Sequence, residues 1–395
     1  MIMIDKSIVF IGFDIESTGG ISTYSRYQIK ALRETYKNVK VYTLDQLEKT
    51  YDGSCDITIK YTNKLVLVSL LFQMLKDAKN TDLFIFNHIN LSFLGAIVKK
   101  IYGTKYIFFG YNEDILVDLK ASYDVEDKNA PGYDPTPTST ILSYRFGMKN
   151  AEAIGIDCQY TIDRLPEFHE YLPKTHLLYD PIDTNFFKPS DKEEAQKIIS
   201  EKYNIDFEGK FIITTIALMR AIANKGHRII IDTIKKMDNK NILYFITSGG
   251  EDKKNIEQYA KDAGIADQVI FFGFIDNDLI PVFYNASDLV ALISKNEYAM
   301  GEGVPLGLIE ASSCEVPVLA GNEDGSIEAI SDKYPNGFRV SPRDIDEIAE
   351  KIQYYIDNPD MKEVHGKNGR KFIMESFEYS KFKDKQMQIV NEAIM

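Results

Sequence analysis

The sequence runs through one alternation twice: a short apolar run rich in β-branched and aromatic residues, then a stretch with apolar residues at helical spacing. In the first half the extended runs are residues 7–13, 39–44, 82–86, 105–109, 153–157 and 176–179, with helical stretches at 22–34, 64–77 and 91–102 between them. The pattern restarts after residue 190, with extended runs at 211–216, 242–247, 269–272, 289–293, 316–319 and 337–340. Helices follow Lys225, Asp252, Asp278, Pro305, Ser326 and Asp344. Apolar strands separated by helices pair as parallel sheets covered on both faces. The order therefore predicts an α/β chain of two doubly wound, Rossmann-like domains, residues 1–185 and 186–376. The connector at 179–189 carries Pro181 and Pro189, with Phe186 and Phe187 placed to pin it. Doubly wound sheets bind ligands beyond the C-terminal ends of their strands, so the expected site is a cleft between two facing domains. Residues 122–139 are polar with three prolines and one glycine, which predicts a long surface loop.

Composition removes other classes. The chain has 46 lysines and arginines against 59 aspartates and glutamates, a net charge of −13. That balance argues against a general nucleic-acid binder, which needs clustered cations. Cys55, Cys158 and Cys314 form neither a disulfide framework nor a zinc pattern, which suits a reducing cytosol. No basic leader with a long apolar core is visible, and the run 65–75 is too short to span a bilayer. The expected location is the cytoplasm, at most peripheral at the inner membrane face.

Three places concentrate chemistry. Gly19 and Gly20 lie between the first strand and its helix, where backbone N–H groups and the helix N-terminus suit a phosphate, or where glycines simply make a tight turn. The spacing is not Gly-x-Gly-x-x-Gly, so a dinucleotide fingerprint is absent. Arg220 and Lys225-Gly226 follow the strand at 211–216, where two cations suit a diphosphate or stand as solvated loop charges. The third is Glu302-Gly303-Val304-Pro305-Leu306-Gly307-Leu308-Ile309-Glu310. Pro305 suits the first helical position, which puts Glu302 at the helix mouth. Glu310 falls among apolar neighbours, where a buried carboxylate needs a partner. The bland alternative is two surface glutamates flanking an ordinary helix.

Together these residues resemble the family-4 type of retaining glycosyltransferases with the two-domain GT-B fold. The likeness rests on Arg220 followed by Lys225-Gly226, on Glu302 and Glu310 as Glu-x7-Glu, and on Asp180-Pro181-Ile182-Asp183-Thr184 in the connector. Residues 269–275, with Gly273 and Phe274, and residues 286–289, 326–330 and 336–338 add to it. The resemblance implies transfer of a sugar from a nucleotide-diphosphate sugar, UDP favoured, with retention and without an obligatory metal or other cofactor. It assigns catalysis to Arg220, Lys225 and Glu302. It assigns donor binding to these and to Gly19, Gly20, Gly273, Phe274, Gly303, Val304, Pro305, Leu306 and Glu310. The acceptor, a glycan, lipid-linked or small molecule, is expected on the first domain. A C-terminal helix, residues 377–395, is expected to return to that domain.

The sequence departs from the pattern in two places. Met219 stands where the family has glycine, and no histidine follows the strand at 105–109. His88, Asn112 and Glu113 are the substitute first-domain candidates, with His88 read first as a packing or hydrogen-bonding residue. These departures keep open a catalytically silent sugar-nucleotide binder, and a glycan phosphorylase of similar fold is a further alternative. Asp276-Asn277-Asp278 looks like a metal-binding Asp-x-Asp, but its place before a helix predicts a cap. The five histidines have no metal-ligand spacing. Helix 64–77 is apolar nearly all round, which predicts burial, with a membrane-surface or oligomer contact as the alternative.

Overall fold

The computed structural model describes residues 3–13, 15, 20–45, 55–60, 65–111, 138–164, 170–220, 225–296 and 301–395. Gly19, Asn112, Glu113, residues 221–224 and most of the 122–139 segment lie outside the described residues.

The chain divides into two compact units, Met1–Pro181 with Tyr379–Met395, and Ile182–Glu378. The breaks fall at 181 and 378 rather than at 185 and 376, because residues 182–188 are tied into the second unit. The Ile182 N–H donates to the Phe377 carbonyl at 2.8 Å, and Arg370 donates to the carbonyls of Thr184 and Phe187, each at 3.2 Å.

Unit 1 holds β1 (Ile4–Phe13), α1 (Gly20–Thr35), β2 (Tyr36–Asp45), β3 (Ile57–Lys60), α2 (Val66–Asp77), β4 (Leu83–Phe86), α3 (Ile89–Tyr102) and β5 (Lys105–Gly110). After these come α4 (Thr138–Asn150), β6 (Ala153–Ile156), α5 (Gln159–Arg164) and β7 (Thr175–Leu177). The seven strands are parallel, in the order β3-β2-β1-β4-β5-β6-β7. Strand alternation divides the core between two faces. Ile8, Phe10, Leu83, Ile85, Ile107 and Phe109 point to one side, under α1 and the last helix. Phe86 and Tyr106 point to the other, so close to α3 that a side chain at Gly95 would collide with both rings. Edge strand β3 escapes sequence reading because its residues alternate half-buried and exposed, without a full apolar run.

Unit 2 holds α6 (Lys192–Tyr203), β8 (Phe211–Ile216), α7 (His227–Met237), β9 (Ile242–Thr247), α8 (Lys253–Ala263), β10 (Val269–Gly273), α9 (Ile280–Asn285) and β11 (Leu289–Leu292). The chain continues through α10 (Leu306–Ser313), β12 (Val318–Gly321), β13 (Gly337–Val340), α11 (Ile345–Asp357) and α12 (Pro359–Ser376). Its six parallel strands are ordered β10-β9-β8-β11-β12-β13. The helix expected after Ser326 is only a short 3-10 segment, Gly325–Ala329, wound around the capping carboxylate of Asp324. Helix α2 is another correction. Only Leu70 and Met74 are buried, whereas Leu65, Val68 and Phe72 are 75%, 50% and 63% exposed.

The last helix, α13 (Tyr379–Ile394), belongs to unit 1. Phe382, Ile389 and Val390 sit in the same core as Phe10 and Leu32, and Phe382 meets the Tyr24 ring edge-on at 5.5 Å. Phe382→Ala should therefore cost about 3–5 kcal/mol in denaturant unfolding, the usual scale for a buried phenylalanine. A loss below about 1 kcal/mol, the range of surface changes, would remove α13 from the core.

Candidate functional site

In unit 2 the strand order reverses between β8 and β11. The chain leaves β8 toward β9 on one side and leaves β11 toward β12 on the other. Right-handed crossovers then put α7 and α10 on opposite faces, so the segments leaving β8 and β11 diverge and open a crevice at the strand ends. Lys225 stands at the start of α7, and Glu302 and Glu310 flank the start of α10. Gly226 caps α7 with φ 85°, and a Cβ there would lie 2.3 Å from the Ile293 carbonyl oxygen. Only glycine lets α7 begin this close to the end of β11.

The Lys225 ammonium is ion-paired with the Glu302 carboxylate, and both are largely buried. Glu302 is fixed through its backbone. Its N–H donates to Asp324 Oδ2 at 2.8 Å, and its carbonyl accepts from the Gly325 N–H at 2.9 Å. Asp324 is fully buried and also accepts from Ser294 Oγ at 2.5 Å and from the Ser326 N–H at 3.0 Å. Burial raises its carboxyl pKa, and these donors oppose the rise. Asp324 was not among the expected residues. Its only sequence signal is an acid one residue before Gly325, in a segment that reads as a turn.

Glu310 lies in the second turn of α10 and accepts a 2.8 Å hydrogen bond from the Tyr284 hydroxyl on α9. Burial pushes its carboxyl up to about 7, while the tyrosine bond pulls the other way. Tyr284 is the partner that sequence reading lacked. Pro305 is the cap residue rather than the first helical one, with extended ψ of 120°, so Leu306 opens the helix. Gly303 and Val304 form the turn before it.

The remaining expected residues lie on neighbouring elements. Arg220 is exposed and makes no hydrogen bond or ion pair among the described residues. Met219, beside it, is fully buried in the core of unit 2, with its N–H on the Gly249 carbonyl at 2.9 Å. The methionine is a packing residue here. Gly273 ends β10 with φ 71°, and the following Phe274 is exposed, with its ring lying over Gly249.

In unit 1 the reversal falls between β1 and β4. Gly20 is the first residue of α1, and His88 caps α3 by accepting the Asn90 N–H on Nδ1 at 3.1 Å. The ring also meets Phe13 edge-on at 5.5 Å. Asp276 differs from expectation. It occupies a cap position, but its side chain makes no capping bond and instead pairs with Lys202 at 3.3 Å. Among the described residues no group of three or more His, Cys, Asp or Glu side chains is placed to hold a metal ion.

The raised Glu310 pKa has a stability consequence. Its folded value of about 7 stands above the ordinary 4.5. Between the two, the folded chain keeps a proton that the unfolded chain has lost, so stability falls as pH rises through that window and stays lower above it. Glu310→Gln keeps an acceptor for Tyr284 and cannot ionise. It should melt above the wild type at pH 8, with the difference vanishing by about pH 4.5. A difference that does not change with pH would contradict the assignment.

Residues 196–372 match the family described as Glycosyl transferases group 1. A "GDP-mannose-dependent alpha-(1-6)-phosphatidylinositol monomannoside mannosyltransferase" of Mycobacterium tuberculosis is 24% identical over 250 residues, 61% of this chain and 62% of that protein. The matching region thus spans less than two thirds of that relative's length. A 2-deoxystreptamine glucosyltransferase of Streptomyces kanamyceticus is 22% identical over 191 residues, 48% of this chain and 46% of its own. Among solved structures, Anabaena HepE in complex with UDP superimposes with a TM-score of 0.77 at 18% identity, covering 98% of this chain and 99% of that one. A sucrose-phosphate synthase from Thermosynechococcus elongatus gives 0.75 at 19% identity and 98% coverage of both chains. The fold is GT-B.

Proposed function

We propose that this chain is a retaining glycosyltransferase that moves a sugar from a nucleoside-diphosphate sugar to an acceptor hydroxyl and needs no metal ion. One observation carries the reading: the strand reversal of a domain that matches the group 1 glycosyltransferases holds Lys225 and Glu302 in contact between two helix N-termini, with Glu310 in the second turn of the helix that Glu302 precedes. As the bond from sugar C1 to the β-phosphate oxygen breaks, negative charge grows on the diphosphate. Fixed cations and helix N–H groups aimed at that charge stabilise it. Lys225 and Arg220 take this role, and Lys225 exchanges part of its contact with Glu302 for phosphate oxygen. Glu302, its peptide held at both ends, keeps sugar hydroxyls in register. Glu310 accepts the ribose hydroxyls, which favour its ionised form.

Retention follows from a same-face exchange. The new bond from C1 to the acceptor oxygen forms on the face that the diphosphate leaves, and the acceptor proton passes to a departing phosphate oxygen. The acceptor binds through unit 1. We favour UDP as the nucleotide. A GDP-mannose donor is the second reading, favoured by the mannosyltransferase relative.

The test is turnover with a panel of UDP and GDP sugars. Arg220→Ala and Lys225→Ala should each lower kcat by roughly 10²–10³, the scale for losing one preorganised charge stabiliser. Glu310→Ala should weaken donor binding more than kcat, because ribose hydroxyls change little along the reaction, and Glu302→Ala should do both. Turnover should persist in EDTA. Arg220→Ala with full kcat and only weaker donor binding would demote the cation to a positioning group. Loss of activity in EDTA with recovery on manganese would overturn the metal-free account.

A further inference from the structure

We propose that the face of unit 1 built from α2, α3 and α4 docks on an anionic lipid bilayer. Leu65, Val68 and Phe72 are spaced three and four residues apart, so they share one stripe of α2, and all three are exposed. Lys76 and Lys79 extend the same stripe. The stripe is continuous with the next two helices through cation–π contacts. Lys79 Nζ lies 6.0 Å from the centre of the Tyr102 ring at the end of α3, and Lys100 Nζ lies 4.6 Å from that of Phe146 on α4. Ile101 on α3 and Leu142 on α4 add exposed apolar area on the same two helices.

The charge of this face is opposite to that of the chain. Helices α2, α3 and α4 and the turn after α2 carry the exposed Lys76, Lys79, Lys100, Arg145 and Lys149, and Lys99, which is ion-paired with Glu152 at 2.6 Å, against one acid of their own, Asp77, in a chain of net charge −13. Asp77 is turned inward, hydrogen-bonded by Tyr42 and, at 3.3 Å, by Lys40. Apolar side chains set among lysines suit the boundary between acyl chains and anionic headgroups, where lysine stems lie along the apolar surface and the ammonium reaches phosphate. A second copy is a poorer occupant, because a two-fold contact through this face sets lysine against lysine. A nucleic acid would use the cations but leave Leu65 and Val68 without a role. No described helix is long and apolar enough to cross a membrane, so the contact is peripheral.

The test is co-sedimentation of the full chain with phosphatidylcholine vesicles that either contain or lack phosphatidylglycerol. Binding should require phosphatidylglycerol and weaken as salt is raised. The double variant Val68→Ser with Phe72→Ser should bind roughly tenfold or more weakly, the scale for losing buried apolar side chains. Lys100→Glu should also lose roughly tenfold. These side chains are exposed, so both variants should keep the wild-type melting temperature, and any loss of binding then reports on the surface. Failure to bind the anionic vesicles, equal binding to both vesicle types, or unchanged binding by the double variant would overturn the proposal. So would a dimer in light scattering that the double variant abolishes, which would make the occupant a second copy. RNA binding equal to vesicle binding and indifferent to Val68 and Phe72 would make it a nucleic acid.

Discussion

The peptide that carries Glu302 is held from both sides, and the character of the site depends on it. Asp324 accepts the N–H and Gly325 donates to the carbonyl, so the segment entering α10 has one position relative to the ends of β11 and β12. Asp324 is buried and its oxygens serve Ser294 and Ser326 as well, so it is over-determined by three elements. A carboxylate in such a place is costly unless every oxygen is engaged. The return is a fixed Glu302 side chain, paired with Lys225 from the opposite side of the strand reversal. Preorganised charge is what a reaction releasing a diphosphate requires, since charges already in place need no reorganisation when the bond breaks.

Much of this was legible in the sequence, for physical reasons that differ from residue to residue. Parallel strands buried on both faces leave near-continuous apolar runs such as 83–86 and 242–247, and these located the sheets. Edge strand β3 is covered less and leaves only a weak alternation. Lys225, Glu302 and Glu310 were found because their spacing along the chain is itself a pattern. Asp324 and Tyr284 were not, because their roles arise from contacts across 22 and 26 residues that no local period records. Gly226 stood in the sequence only as the residue after Lys225, and the structure gives it its own demand, since a side chain there would meet the Ile293 carbonyl.

Helix α2 shows where composition misleads. Nearly all-round apolarity normally means burial, yet only two of its residues are buried, since α2 lies on one sheet face with nothing described over its outer side. The same averaging hides charge. A net of −13 describes the whole chain, while the three helices on that face of unit 1 and the turn after α2 carry six basic residues and one acid. Net charge constrains solubility and long-range attraction, but a local face decides what touches it.

The central claim is that a nucleoside diphosphate binds at the strand reversal of unit 2. Hydrogen–deuterium exchange with saturating UDP or GDP tests it most directly, because it reports where binding slows amide opening. The account predicts slowed exchange in peptides covering residues 225–230 and 301–310, and loss of that protection in Lys225→Ala. Unchanged exchange in both segments while either nucleotide binds elsewhere, or protection confined to unit 1, would contradict it.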